Sequence, residues 1–163
     1  MKIPFFSRAA EFAVERLMPQ DARLLPAIHG EDFARPWSGG EFETLLAQEP
    51  VFGFGAWQVG HRVEAPAGFV LARLAAGEGE ILTIAVARAW RRHGLGRELM
   101  EAVLRHLHAE RAEALFLEVD ETNQPAIALY RRLGFEEVAR RPAYYDKPDA
   151  PRSAALVMRR DLR

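Results

Sequence analysis

Across residues 94–108 the apolar side chains Leu95, Leu99, Met100, Val103, Leu104 and Leu107 recur at spacings of one, three and four. That pattern predicts an α-helix with one buried stripe, and the stripe must be covered by something apolar. Three runs upstream supply a cover: VFGFGAW (51–57), AGFVLARLA (67–75) and GEILTIAV (79–86). They are rich in β-formers and punctuated by Gly and Pro, which predicts successive strands in a meander. Downstream, ALFLEV (114–119) predicts a strand and residues 123–133 a helix closed by Gly134, with FEEVAR (135–140) and AALVMRR (154–160) as further strands. Near the start, Pro19-Gln20-Asp21 opens a short helix that Pro26 bends or shortens, and Ser38-Gly39-Gly40-Glu41 has the capping pattern of a second helix running to about Leu46. No repeat or linker interrupts this order, so the fold class is α/β (α+β), one mixed sheet with helices in a single domain.

The chain of 163 residues is long enough to bury a core without cross-links and too short for two full domains. Residues 1–11 predict a poorly ordered extension, leaving 12–163 as the domain. The opening MKIPFF meets Arg8 and Glu11 before any apolar stretch of signal-sequence length, and no later run is long enough to span a bilayer. The expectation is a cytoplasmic protein with no membrane partner. With no cysteine there is no thiolate nucleophile, redox pair or cysteine zinc site, so chemistry rests on oxygen and nitrogen groups. A net charge of -1 gives no overall basic field for direct nucleic-acid binding. The basic residues nevertheless cluster, and with Lys2 and Lys147 the only lysines, nearly all are Arg.

The cluster Arg91, Arg92, His93 and Arg97 surrounds Gly94-Leu95-Gly96 where the strand gives way to the long helix. Unpaired amides at a helix start bind phosphate, and glycine lets a ligand approach the backbone. A lone G-x-G usually marks a tight turn with solvated arginines beside it; the coincidence of strand, loop, basic cluster and helix favours an anion site. A Walker A loop is excluded because no lysine is near. A Rossmann site is strained, because the sixth position is Leu99 where Gly or Ala belongs and the glycines come well after the strand.

Glu118 lies in a strand whose neighbours are apolar, and either pairs with an arginine on an exposed strand end or has a chemical task. On the following helix Asn123, Ile127 and Tyr130 fall on one broad side. Singly, an Asn at a helix start caps and a helical Tyr packs. Together, an amide that can hold a ligand and a phenol that can donate a proton suggest a site.

R-R-H-G-L-G, the preceding I-A-V, L-E-V, and N-x-x-A-I-x-L-Y-x-x-L-G-F resemble the GNAT superfamily of N-acetyltransferases over residues 81–135. R-P-W-S (35–38), E-I-L-T-I-A-V (80–86) and R-P-A-Y-Y (141–145) resemble its ribosomal-protein-alanine branch, the RimI type. The resemblance implies a sheet of about six to seven strands flanked by about four helices. It implies acetyl-CoA as cosubstrate and no metal. Ile84, Ala85 and Val86 would sit on a strand splayed from its neighbour and pair with the pantetheine arm. Arg92, His93, Gly94, Leu95, Gly96 and Arg97 would take the pyrophosphate, and Asn123 would bond the arm. Glu118 would be the general base and Tyr130 the acid for the leaving thiolate.

Arg35, Trp37, Tyr144 and Tyr145 would border the acceptor entrance, which the resemblance fits to a protein's N-terminal alanine, that of ribosomal protein S18. Glu31, Asp32, Glu41 and Glu43 would face basic residues of that tail or merely solvate a helix. A monomer or weak dimer is expected. The alternatives are an acetyltransferase acting on lysine side chains, other N-termini or small amines, a non-catalytic coenzyme A-binding module, and more distantly an NAD-binding module.

Overall fold

A computed structural model describes residues 10–142 and 153–163. Seven strands form one sheet in the order β1-β2-β3-β4-β5-β7-β6. The strands are β1 (Phe12–Arg16), β2 (Val51–Gln58), β3 (Gly68–Ala75), β4 (Glu78–Val86), β5 (Ala114–Asp120), β6 (Glu136–Arg141) and β7 (Ala155–Asp161). The helices are α1 (Pro26–Asp32), α2 (Gly39–Leu46), α3 (Leu95–Ala109) and α4 (Gln124–Arg132). The meander is present as β2-β3-β4, antiparallel throughout. The β4–β5 pair alone is parallel, as expected where helix α3 makes the crossover.

Two expectations need correction. The N-terminal helix is a 3₁₀ turn over Pro19–Leu24 followed by the separate helix α1, in which Pro26 is the first residue. Proline tolerates that place because the amide it lacks would have been unpaired, so it starts a helix rather than bending one. Strand β1 is an addition to the expected elements: FAVER pairs with β2 at the sheet's edge.

Two apolar clusters lie on opposite faces of the sheet. On one face the stripe Leu95, Leu99, Met100, Val103, Leu104 and Leu107 of α3 packs with Ile127 and Tyr130 of α4 over Val70, Ile81, Leu115 and Leu117. On the other, Leu25 and Ile28 with Phe42 cover Trp57, Phe69, Leu71 and Ala85. Gly79 explains how closely α3 sits: a Cβ there would lie 2.7 Å from Leu107 Cδ1. The second cluster covers β2–β4 but does not reach β5 and β7, so Phe116 and Glu118 face outward there.

Candidate functional site

The sheet opens at its centre. β4 pairs with β3 over its whole length but with β5 only from Glu78 to Glu80, opposite Ala114 to Phe116. Beyond that point β4 continues to Val86 and β5 to Asp120 with no ladder between them. A bulge lies at the parting. Thr83 pairs with Leu71 and Ile81 with Ala72, leaving Leu82 as an extra residue. An extra residue bends a strand and increases its twist, which carries the end of β4 away from β5. It also shifts the side-chain phase, so before the bulge odd-numbered Ile81 packs with the α3 cluster, whereas after it even-numbered Ile84 and Val86 do and Ala85 packs on the opposite face. Ile84, Ala85 and Val86 therefore present a backbone edge without a β5 partner.

The loop after β4 ends at the start of α3. Arg92 and Gly94 have φ of 67° and 73°, a left-handed region that suits glycine and folds the loop back sharply. Gly94 is the N-cap and offers no side chain to the first amides of α3. The N–H groups of Leu95, Gly96 and Arg97 thus lie at the positive end of a 15-residue helix with no hydrogen-bond partner among the described residues, an arrangement that suits an anion. Phe12, Trp90 and His93 form an aromatic cluster with centroids 5.3 to 5.9 Å apart, bracing the loop against the edge strand.

The cationic groups around it are not equivalent. Arg91 is ion-paired to Asp32, and Arg97 to Glu101 at 3.0 Å. Arg92 and His93 are exposed, with no ion pair among the described residues. Glu31 and Asp32, expected either to face the acceptor tail or merely to solvate the helix, both have partners within the fold. Glu31 accepts the Arg88 N–H at 2.8 Å, and Asp32 holds Arg91 and approaches Arg88, so both dock α1 onto the turn after β4. Glu41 closes the capping box with Ser38. Of that group only Glu43 has neither a side-chain hydrogen bond nor an ion pair among the described residues.

Glu118 and Tyr130 stand on opposite faces. Leu117 and Val119 point into the α3 cluster, so the alternation of β5 sends Glu118 outward, where its side chain keeps 44% of its exposure. Its Oε1 lies 2.8 Å from Arg141 Nε, which reaches across β7. Glu118 and Arg141 line a groove of about 330 Å³ together with Arg73, Glu78, Glu80 and Phe116.

Tyr130 is buried in the α3 cluster with its ring edge-on to Phe135 at 5.9 Å. Burial pushes its phenol up to about 12, so it keeps its proton across the neutral range. Its hydroxyl bonds to no described residue and is not sealed from solvent.

Asn123 caps α4, its Oδ1 accepting the Ala126 N–H at 3.3 Å, which leaves the amide NH₂ to donate elsewhere. Asp120 builds the turn that delivers it. Hydrogen bonds from Ser153 and Thr122 hold that carboxyl below the usual range.

On the acceptor side expected from sequence, Arg35 is exposed and Trp37 is half-buried, stacked on His29 at 5.1 Å and tilted against Phe42 at 5.5 Å. Tyr144 and Tyr145 lie outside the described residues. Sequence reasoning missed Arg141 and His29. Each reaches its partner across the sheet or over dozens of residues, a proximity that no local pattern encodes. Among the described residues no group of His, Asp and Glu is placed to hold a metal ion, and no helix is long and apolar enough to cross a membrane.

The acetyltransferase (GNAT) family model matches residues 22–135. The ribosomal protein bS18-alanine N-acetyltransferase of Escherichia coli strain K12 is 35% identical over 137 residues, covering 83% of this chain and 88% of that protein. The crystal structure of the ribosomal-protein-S18-alanine N-acetyltransferase from Escherichia coli aligns with a TM-score of 0.82 at 31% identity, covering 93% and 94% of the two chains. Arabidopsis thaliana NAA60 in complex with acetyl-CoA shares the fold, with a TM-score of 0.79 at 20% identity, covering 93% and 98%.

Proposed function

Because the chain belongs to the acetyltransferase (GNAT) family and is an acetyl-CoA-dependent N-acetyltransferase, we propose that it acetylates the α-amino group of the N-terminal alanine of ribosomal protein S18. The observation that carries this reading is the parting of β4 from β5 beside an uncapped helix start, which provides an extended partner edge and an anion site in line. The acceptor is argued from the Escherichia coli relative, a ribosomal protein bS18-alanine N-acetyltransferase.

Each residue has work suited to its place. The free edge of Ile84, Ala85 and Val86 pairs with the amide-bearing arm of the cosubstrate as a further strand would. The amides of Leu95, Gly96 and Arg97, with Gly94 turning the chain and Arg92 and His93 beside it, hold the diphosphate. The Asn123 NH₂ donates to the arm. Acetyl-CoA supplies an activated acyl group, so the protein's tasks are alignment and proton traffic. Glu118 takes the proton from the amine on the open face, and Tyr130 donates to the leaving sulfur from the buried one. An α-amino group, with a reference pKa of about 7.7–8.0 against about 10.4 for lysine, is already partly neutral at pH 7 and suits a base that is half exposed.

Intact-mass analysis of ribosomal protein S18 and a peptide panel after incubation with acetyl-CoA tests the proposal. One acetyl group on the S18 N-terminal alanine is the expected result. Modification of lysine-only peptides with S18 untouched would replace it.

The anion site is tested separately. A Cβ at Gly94 meets no atom within 4 Å, so a side chain there has room, although its φ of 73° strains any residue but glycine. Gly94→Ala carries that strain alone, about 1–2 kcal/mol, whereas Gly94→Glu adds a carboxylate at the diphosphate position. Calorimetry should show acetyl-CoA affinity falling about tenfold or more in the Glu variant relative to the Ala variant. Equal affinities would remove the loop from cofactor binding.

A further inference from the structure

His29 is 1% exposed yet makes two hydrogen bonds to different elements. Its Nδ1 accepts the Trp37 backbone N–H at 3.1 Å, and its Nε2 lies 3.2 Å from Thr83 Oγ1. An Nδ1 that accepts carries no proton, so the neutral ring must be the Nε2–H tautomer, donating to Thr83. Burial holds the imidazole below its ordinary pKa, against an opposing pull from Glu41 on α2. The ring is stacked on Phe33 at 4.0 Å with planes 5° apart and meets Phe42 edge-on at 5.4 Å, so it has little freedom to turn.

The two partners matter more than the burial. Thr83 is the residue just past the bulge, where β4 has left β5. Trp37 lies in the α1–α2 loop, which the family resemblance sets at the acceptor entrance. We infer that His29 is a positioning residue for acyl transfer, tying the Trp37 loop to the diverging half of β4 through Nδ1 and Nε2–H so that the acceptor entrance keeps a fixed distance from the strand bearing the thioester. This deepens the proposed function and rests on it for the identity of the acceptor. The bonds from Glu31 and Asp32 to Arg88 and Arg91 dock the end of α1 on the same seam, and His29 extends that docking to the loop backbone.

Because the loop borders the acceptor and not the reacting atoms, its loosening should appear in the acceptor KM. A partly buried amide left unpaired costs enough to weaken binding about tenfold. His29→Leu should raise the KM for an N-terminal S18 peptide by about that factor, with kcat and the calorimetric acetyl-CoA Kd within about twofold. His29→Asn places an amide oxygen where Nδ1 stood and should recover most of the loss. Thr83→Val, which frees the ring's other edge, should raise the KM about threefold, as expected for one hydrogen bond of modest net worth.

Hydrogen exchange at the Trp37 amide reads the tie without turnover. That amide should be protected in the parent and in His29→Asn, and fast in His29→Leu. An unchanged KM or Trp37 exchange in His29→Leu would overturn the inference, as would an Asn variant as impaired as the Leu variant or an equal loss of acetyl-CoA affinity. Should His29→Leu fail to fold, Thr83→Val and His29→Asn decide. Parental KM and exchange in Thr83→Val, or a fully impaired Asn variant, would overturn it. A parent protein that leaves S18 unmodified refutes the acceptor assignment, and Trp37 exchange still decides the tie.

Discussion

Tyr130→Phe is expected to lower kcat by about 10²–10³-fold, within the range for loss of a positioned general acid, while the acetyl-CoA Kd stays within about twofold. The reason lies in the packing. The ring sits in the α3 cluster against Phe135, and a phenylalanine fills the same space, so the fold and the cofactor edge of β4 are retained. What disappears is one hydroxyl without a hydrogen-bond partner among the described residues and not sealed from solvent. A phenol pushed up to about 12 by burial stays protonated through any working pH, so it is always a donor to charge developing on sulfur.

The same shift makes a control. The unfolded chain releases this proton near pH 10 and the folded chain only near 12, so the group contributes stability below pH 10 that is lost as pH rises from about 10 to about 12. That loss approaches ~2.7 kcal/mol, from 1.36 kcal/mol per unit. A phenylalanine ring cannot titrate, and the Tyr130→Phe variant should lose less stability over that interval in denaturant titrations. Parental kcat would remove Tyr130 from the chemistry, and a matching loss in Kd would make it a binding residue instead.

What could be read in the sequence, and what could not, divides by range of interaction. The stripe of α3, the meander and the capping box at Ser38 follow from periods of 3.6 and 2 or from contacts within one turn, and each is present. β1 escaped because five residues at a sheet edge, none of them fully buried, carry little alternation. The insertion of β7 between β5 and β6 is a topological choice that chain order does not encode.

The charges were the least legible. Glu31 and Asp32 lie next to one another at the end of a short helix, and only the fold brings Arg88 and Arg91 to them. Glu118 illustrates both sides. Its strand position could be read, whereas its pairing with Arg141 required knowing that β6 lies beyond β7.

Glu118→Gln is expected to lower kcat/KM by about 10²-fold near pH 7, at the lower edge of general-base effects, with acetyl-CoA affinity unchanged. The structure gives a reason for a moderate effect. This carboxylate is half exposed, lies against Arg141 at 2.8 Å and faces a groove open to water. A base in that setting accepts a proton and passes it to solvent, a task that matters most while the acceptor amine is still charged. An N-terminal amine titrates at about 7.7–8.0, so raising the pH to about 9 supplies the neutral nucleophile without help and the deficit of the Gln variant should shrink to less than about tenfold.

Removing the guanidinium separates the carboxylate's chemistry from its tether. Arg141→Gln frees Glu118 without deleting it, and exposed ion pairs contribute little to stability, so the fold should hold. Activity in that variant should stay within about threefold of the parent, far from the deficit of Glu118→Gln. A Glu118→Gln deficit that is constant from pH 7 to 9 would show that the carboxylate orients the acceptor instead of taking its proton. Full activity would assign that role to another group on the open face, where Glu80 shares the groove.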